Sequence, residues 1–357
     1  MSGPVLIFPA GHPGGAEHRA QVLAEGGRVI GSSSLDNDPA RETYDVWEKL
    51  PYVSAPNFAE ALGAAIRKHG VSAVHAPHYV VWRHLSEKLA QIAPGVRLTG
   101  GATVRDQEQV YRDLRARLDG VDEAPFYAPA LASRPPLPKA ARTGLIRLAN
   151  TIPGMSSDEK MLAMIDMMRC APAGDIVEIG CWWGRSAALM VLLAHRFDLG
   201  NVLCVDPWSS EAVVQNDAIL DEASATADMD EALRIFEIHL APLAMGRLNY
   251  IRAPSAQGAA RYGPGLRVET PAFGATHYTG QIAVLHIDGN HTAENAELDT
   301  QLWTPHVKPG GWIIFDDYFW VFGDGPREAG DRFLARNAER IQLSFVAGKA
   351  MFVQLKA

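Results

Sequence analysis

Two α/β domains, each built on a mostly parallel sheet with helices on both faces, are predicted from three features of the sequence. Apolar runs of strand length alternate with segments of helical periodicity along most of the chain. A proline-rich stretch breaks this rhythm before the middle. The chain has 357 residues, more than one hydrophobic core usually serves.

The first domain opens with "VLIF" as a strand, "PAGHPGG" as a glycine-rich turn and "AEHRAQVLAEGG" as a helix ending in glycine. "RVIGSSS", "VSAVHAP" and "VRLTGG" read as further strands, separated by the helices "NFAEALGAAIRKHG" and "VWRHLSEKLAQIAP". The order of elements, carried by "VLIFPAGHPGGAEHRAQVLAEGGRVIGSS", "YDVWEKLPYVSAPNFAEAL" and "VRLTGG", resembles the small N-terminal (pre-ATP-grasp) domain of ATP-grasp ligases. No ATP-grasp catalytic domain follows, so ATP-dependent ligation by this chain alone is not expected. The "HPGG" turn at His12 to Gly15 could hold a phosphate on the next helix, although a tight strand-to-helix turn accounts for it at less cost. His75 and His78 flank Pro77 at a strand end, where they either line a pocket or sit as loop histidines.

Residues 119–154 read as a proline-rich linker, so the expected domains are 1–118 and 155–357. The second begins with "SSDEKMLAMIDMMRCAP", a serine-capped amphipathic helix whose methionines pack on a sheet. "DIVEIGCWWGRSAALMVLLAHRF" is then a strand, a glycine-punctuated turn and a helix. Glu178 ends the strand, Gly180 and Gly184 bracket the turn and Ser186 starts the helix. "NVLCVDPW" is a second strand ending in Asp206, where an acid can accept hydrogen bonds from ribose hydroxyls. An adenosine-type ligand is indicated. A dinucleotide fingerprint would require glycine where Trp182 and Arg185 stand, whereas acid-x-Gly-x-Gly-x-Gly loses only its middle glycine, to Trp182.

"QIAVLHIDGNH" is another buried strand, ending in Asp288 with His291 just beyond; His286 alternates into the core. The helix "TAENAELDTQLWTPHV", the turn "KPGG" and the strand "WIIFDDY" follow. A strand, a crossover helix and an adjacent parallel strand bring both strand ends to one sheet edge. Strands lie about 4.8 Å apart, so Asp288, Asp316 and Asp317 can converge on one point. Three carboxylates so close repel one another unless a cation neutralises them, and a hard divalent ion with oxygen ligands does so. Capping of a turn would explain one of these aspartates but not three.

The residues "VEIGCWWGRSA", "VDPW", "HIDGNHTAENAELDTQLWTPHVKPGGWIIFDDY" and "GPREAGDRFL" resemble the metal-dependent macrocin-type sugar O-methyltransferases, and more broadly the family that includes cephalosporin-hydroxylase-like proteins. The resemblance covers residues 155–357. With the alternation of the first domain, it implies two Rossmann-like doubly wound domains, the C-terminal one with the class I fold of S-adenosylmethionine (SAM) methyltransferases and a mostly parallel seven-stranded sheet. By this resemblance the SAM site comprises Glu178, Gly180, Cys181, Trp182, Gly184, Ser186, Asp206, Ser255 and Asp288. Asp288, Asp316 and Asp317 would hold Mg²⁺ or another divalent cation. His291 would be the base, or alternatively a supporting or helix-capping histidine.

The expected reaction is methylation of a hydroxyl on a sugar, nucleotide-sugar or similar polyol, with the metal holding two neighbouring hydroxyls and His291 taking the proton. Dinucleotide oxidoreduction, nucleotide binding through the N-terminal domain, and SAM binding that assists a partner oxygenase are the competing readings. The segment "SSEAVVQNDAILDEASATADMDEAL" is expected as a lid, and "GPGLRVETPAFGATHYTG" as an acceptor-lining insertion. The N-terminal domain is expected to be auxiliary, in acceptor binding or oligomerisation.

A formal net charge of -8 with scattered basic residues gives no electrostatic reason to approach nucleic acid or an anionic membrane. The start lacks a basic leader and no apolar run reaches bilayer length, so a cytoplasmic protein is expected, acting on a small-molecule acceptor as a homo-oligomer. Cys170, Cys181 and Cys204 lie in or beside apolar segments and read as reduced core thiols.

Overall fold

The computed structural model describes residues 3–101, 104–122 and 134–357. The chain divides into two compact units, residues 1–113 and 114–357. The proline-rich core of the expected linker, 123–133, lies outside the described residues.

The N-terminal unit alternates strand and helix as β1 (Val5–Ile7), α1 (Pro13–Ala24), β2 (Val29–Ser33), β3 (Trp47–Lys49), α2 (Phe58–His69), β4 (Ala73–Ala76), α3 (Tyr79–Ile92) and β5 (Arg97–Gly100). All five strands are parallel, in the order β3-β2-β1-β4-β5. Leu6, Ile30, Leu62, Val74 and Leu85 form its core. β3 has only three residues on the sheet edge, too few to announce itself by periodicity.

α4 (Val104–Asp122) spans the division between the units, and its Leu114 and Leu118 belong to the core of the second. α5 (Lys139–Ala149) falls inside the segment expected as linker. Ile146 and Ala149 are fully buried in the core shared with α6 (Asp158–Cys170) and α7 (Arg185–Phe197), so the prolines before Lys139 delay this helix without excluding it. α6 has the expected cap: Ser157 Oγ accepts from the Lys160 amide at 3.2 Å.

The remaining elements are β6 (Asp175–Ile179), β7 (Val202–Asp206), α8 (Ala218–Ser224), α9 (Met229–Ala244), β8 (Leu248–Arg252), α10 (Ser255–Arg261), β9 (Arg267–Thr270), β10 (Gly274–His277), β11 (Ile282–Ile287), α11 (Ala293–Trp303), β12 (Val307–Phe315), α12 (Gly325–Asn337), β13 (Ile341–Ala347) and β14 (Ala350–Leu355). They build a seven-stranded sheet in the order β13-β14-β12-β11-β6-β7-β8. β12, β11, β6, β7 and β8 are parallel, and β14 runs antiparallel to both its neighbours. "KPGG", expected as a turn, lies within β12, and the β11–β12 register slips beside it.

The segment 263–280 is a correction. Its β9–β10 hairpin packs at the opposite edge of the sheet from the acidic strand ends. Thr279 and Gly280 donate to Asp175, which starts β6, and the Asn249 amide donates to the carbonyls of Val268 and Gly274. It does not line the acceptor cavity.

Candidate active site

The carboxyl ends of β6, β7, β11 and β12 open onto a cavity of about 880 Å³, within the size range of small-molecule sites. Gly180, Cys181, Trp182, Gly184, Ser186, Asp206, Ser255, Asp288, His291, Asp316 and Asp317 all line it. Residues expected to act together, from segments more than a hundred residues apart, therefore line one cavity. Glu178, also expected there, does not line it.

The turn after β6 shows why glycine recurs. Gly180 has φ +77°, and a Cβ there would stand 2.0 Å from the Asp288 carbonyl oxygen. Gly184, at φ +89°, would carry its Cβ 2.6 Å from Leu240. Trp182 takes φ +45° without being glycine. Asp206 compensates: its Oδ2 accepts from the amides of Cys181 (2.8 Å) and Trp182 (3.1 Å), and its Oδ1 from that of Trp208 (2.8 Å). Asp206 clamps the turn through both oxygens. A ribose would find only the spare lone pairs of that carboxylate, and burial raises its pKa.

Alternation along the strands explains the displacement of Glu178. Ile176 packs on the α5–α7 side of the sheet and Val177 and Ile179 on the other, so Glu178 faces α7. It is fully buried, accepts from Ser186 Oγ at 2.5 Å and meets His286 Nδ1 at 2.8 Å. Glu178 thus braces the start of α7 and its neighbouring strand from beneath the cavity floor. The Cys181 backbone forms part of the turn, while its thiol is buried and pushed well up by burial. All three cysteines are buried and unpaired by disulfide.

His286, Asp288 and Asp316 lie on that same face. β11 and β12 pair Ile287 with Phe315, which sets Asp288 and Asp316 side by side one residue further on. Asp317 follows at φ +47°, its amide turned back to Asp316 Oδ1 at 2.9 Å. Burial and the Asp316 charge raise the pKa values of Asp288 and Asp317. His291 Nε2 stands 3.4 Å from Asp317 Oδ2 and 4.0 Å from Asp288 Oδ1. Neither buried nitrogen of His291 has a hydrogen-bond partner among the described residues, and burial lowers its pKa toward the neutral form. One oxygen each from Asp288 and Asp317 and one nitrogen of His291 lie within 4.8 Å of one another. Carboxylate oxygens brought this close are a donor set that fits a hard divalent cation, and His291 beside them is placed to take a proton.

The residue missing from the sequence reading is Lys160. It rises from α6, is 1% exposed, ion-pairs with Asp316 and reaches within 3.9 Å of Asp288 Oδ2. Burial pushes Asp316 up, but Lys160 and His286 together hold it well below the usual carboxylate range. A signal was present: Lys160 is in phase with Met164 and Met168 on the apolar stripe of its helix, an unusual place for lysine unless it is paired.

The segment after Asp206, expected as a lid, supplies Ser209, Val213, Gln215 and Ser224 to the cavity wall. It is tied to the acidic loop, since Asn290 donates to the carbonyls of Ala212 and Val214, and Gln215 Oε1 accepts from the His291 amide.

The N-terminal motifs take structural roles. His12 Nδ1 caps the Gly14 amide, and a Cβ on Gly11 would strike the Asp38 carboxylate, so a phosphate at the "HPGG" turn would meet a filled cap and a nearby anion. The adjacent cavity of about 450 Å³ is lined by Asp38 and by no lysine or arginine. His78 caps α3, and His75 stacks on His18 at 3.8 Å and is pushed down to about 4 by burial and that neighbour.

Residues 177–318 match a protein-family model described as "Methyltransferase domain". Over 216 residues the chain is 29% identical to the 8-demethyl-8-(2,3-dimethoxy-alpha-L-rhamnosyl)-tetracenomycin-C 4'-O-methyltransferase of Streptomyces olivaceus, covering 58% of this chain and 74% of that enzyme. Among solved structures, the O-methyltransferase NovP aligns with a TM-score of 0.39 and 16% identity, over 61% of this chain and 80% of NovP. CalS11, a TDP-rhamnose 3'-O-methyltransferase of calicheamicin biosynthesis, aligns with a TM-score of 0.38 and 16% identity, over 71% of this chain and 96% of CalS11. The family match runs from β6 through the paired aspartates, the same stretch that builds the cavity. By this match residues 177–318 form a methyltransferase domain, and SAM-dependent methyl transfer is the activity that it and the tetracenomycin relative support.

Proposed function

We propose that the chain is an O-methyltransferase that uses SAM and a divalent cation, Mg²⁺ in the first instance, to methylate a hydroxyl of a sugar or sugar-like group on a natural-product or polysaccharide precursor. One observation carries this reading: a single cavity joins the glycine turn to the carboxylates and to the His291 imidazole, which has no hydrogen-bond partner among the described residues. The tetracenomycin-glycoside relative, which by its name acts on a rhamnosyl group, supports the sugar class.

The bound groups supply an electrophilic methyl on a sulfonium and a positive charge that lowers the acceptor hydroxyl's pKa. The chain's residues do the rest. Gly180, Trp182 and Gly184 present turn backbone to the cofactor, and Ser255 at the start of α10 borders the same cavity. Asp288, Asp316 and Asp317 would hold the cation. His291 takes the hydroxyl proton as the oxygen forms its bond to the methyl carbon and the carbon–sulfur bond breaks. The residues 1–113 are auxiliary to this chemistry.

The test is methyl transfer from isotopically labelled SAM to a panel of glycosides and nucleotide sugars, with Asp288→Ala beside the wild type. Turnover on at least one sugar hydroxyl, falling by roughly a hundredfold or more in Asp288→Ala, is expected. Transfer to nitrogen or carbon acceptors alone would contradict the reading.

A further inference from the structure

The N-terminal unit has a cavity of its own that methyl transfer does not use. It measures about 450 Å³, within the range of small-molecule sites. It opens at the carboxyl ends of β1, β2 and β3, the edge where parallel α/β sheets take ligands. Phe8, Val53 and Val81 give it apolar walls, and Tyr52 borders it with an exposed ring. Such walls alone would suit any apolar group, and Asp38 narrows the choice. It lines the cavity from the loop after β2, the strand that in dinucleotide-binding folds is followed by the acid for ribose hydroxyls, and it is 7% exposed. Its Oδ1 accepts from the Ala40 amide at 3.0 Å, whereas Oδ2 has neither a hydrogen-bond nor an ion-pair partner among the described residues. A buried carboxylate oxygen in that state calls for a donor from a ligand.

Ser33, at the end of β2, is buried and lines the same cavity. Its Oγ accepts from the Leu35 amide at 3.1 Å, and its own proton meets no acceptor among the described residues. The pair therefore offers one acceptor and one donor. A phosphate finds no lysine or arginine among the lining residues, and His12 already occupies the Gly14 amide. An ammonium has no acceptor and would leave the Ser33 hydroxyl unmatched. Adjacent hydroxyls on a sugar ring match both groups, because each can donate and accept.

We propose that this cavity is a second small-molecule site, which takes an uncharged sugar ring through a vicinal diol. One hydroxyl donates to Asp38 Oδ2, its neighbour accepts from Ser33 Oγ, and the group attached to the sugar lies against Phe8 and Tyr52. The ribose of a nucleoside and the sugar of a neutral glycoside share this chemistry. All the lining residues lie between 8 and 81, in a unit with its own core, so the site does not depend on the methyltransferase reading.

The test is calorimetric titration of the full chain with adenosine and with 4-nitrophenyl α-rhamnoside, each beside a deoxy counterpart that lacks the vicinal diol. S-adenosylhomocysteine is present in excess, to keep adenosine out of the larger cavity. The variants are Asp38→Asn, which keeps an oxygen to cap Ala40, and Ser33→Ala. At least one of the two compounds is expected to bind, and the one that binds more tightly names the source. Its affinity is expected to fall about tenfold or more in Asp38→Asn and on loss of the diol, and about threefold or more in Ser33→Ala.

No binding by either compound would overturn the proposal, as would binding that Asp38→Asn leaves unchanged. So would AMP binding more tightly than adenosine, which would mean a phosphate is held, or phenethylamine binding more tightly than both, which would mean a cation is. Should Asp38→Asn fail to fold, the deoxy compounds on the wild-type chain still decide.

Discussion

Asp299 shows how much one side chain can couple this site to pH. It is 5% exposed on α11, lines the cavity beside Ser255, and is pushed up to about 6 by burial despite the hydrogen bond to that serine. Its folded pKa lies above the ordinary aspartate value, so the folded state holds the proton longer than the unfolded chain. Stability therefore falls as pH rises from about 4 to 6 and is flat above, with at most about 3 kcal/mol at stake. Asp299→Asn is expected to raise the melting temperature at pH 7 to 8 and to leave it unchanged at pH 4; melting curves across that range check this. The residues whose place was legible in the sequence were those standing at a strand end, Asp288, Asp316 and Asp317. Lys160 and the burial of Glu178 were not legible in the same way. Each depends on which face of which element meets a partner far along the chain, and in Lys160's case 156 residues away.

At the scale of elements, the β6–α7 turn is the part that tolerates least. Gly180→Ala would combine a left-handed backbone with a Cβ driven into the Asp288 carbonyl, and so would displace the end of β11 together with the turn. A loss of about 2 kcal/mol or more and a SAM affinity reduced at least about tenfold are expected, read by denaturant unfolding and by calorimetry. Strand and helix alternation was visible for the longer elements, because each carries its own period. α5 was hidden by the prolines that precede it, and the β9–β10 hairpin was assigned to the wrong edge of the sheet. Its sequence has no feature that tells one end of the sheet's strands from the other; the contacts of Asn249 and Asp175 decide it.

For the whole molecule, the two units have separate cores, and every residue lining the larger cavity falls between 153 and 349. A fragment of residues 114–357 is therefore expected to fold and to bind SAM within about threefold of the full chain; a folded fragment without SAM binding would assign part of the cofactor site to residues 1–113. Two α/β domains were legible from rhythm and length, whereas their division within α4 was not, since that helix continues without a break across it. No helix among the described residues is long and apolar enough to cross a membrane. The central claim is that one cavity holds SAM and a cation at separable positions. Calorimetric titration of the metal-stripped full chain with SAM, repeated for Asp288→Ala and with Mg²⁺ as titrant, tests it most directly. Micromolar SAM binding kept by the variant, together with Mg²⁺ binding lost from it, is the predicted result; no SAM binding by the wild-type chain would contradict the account.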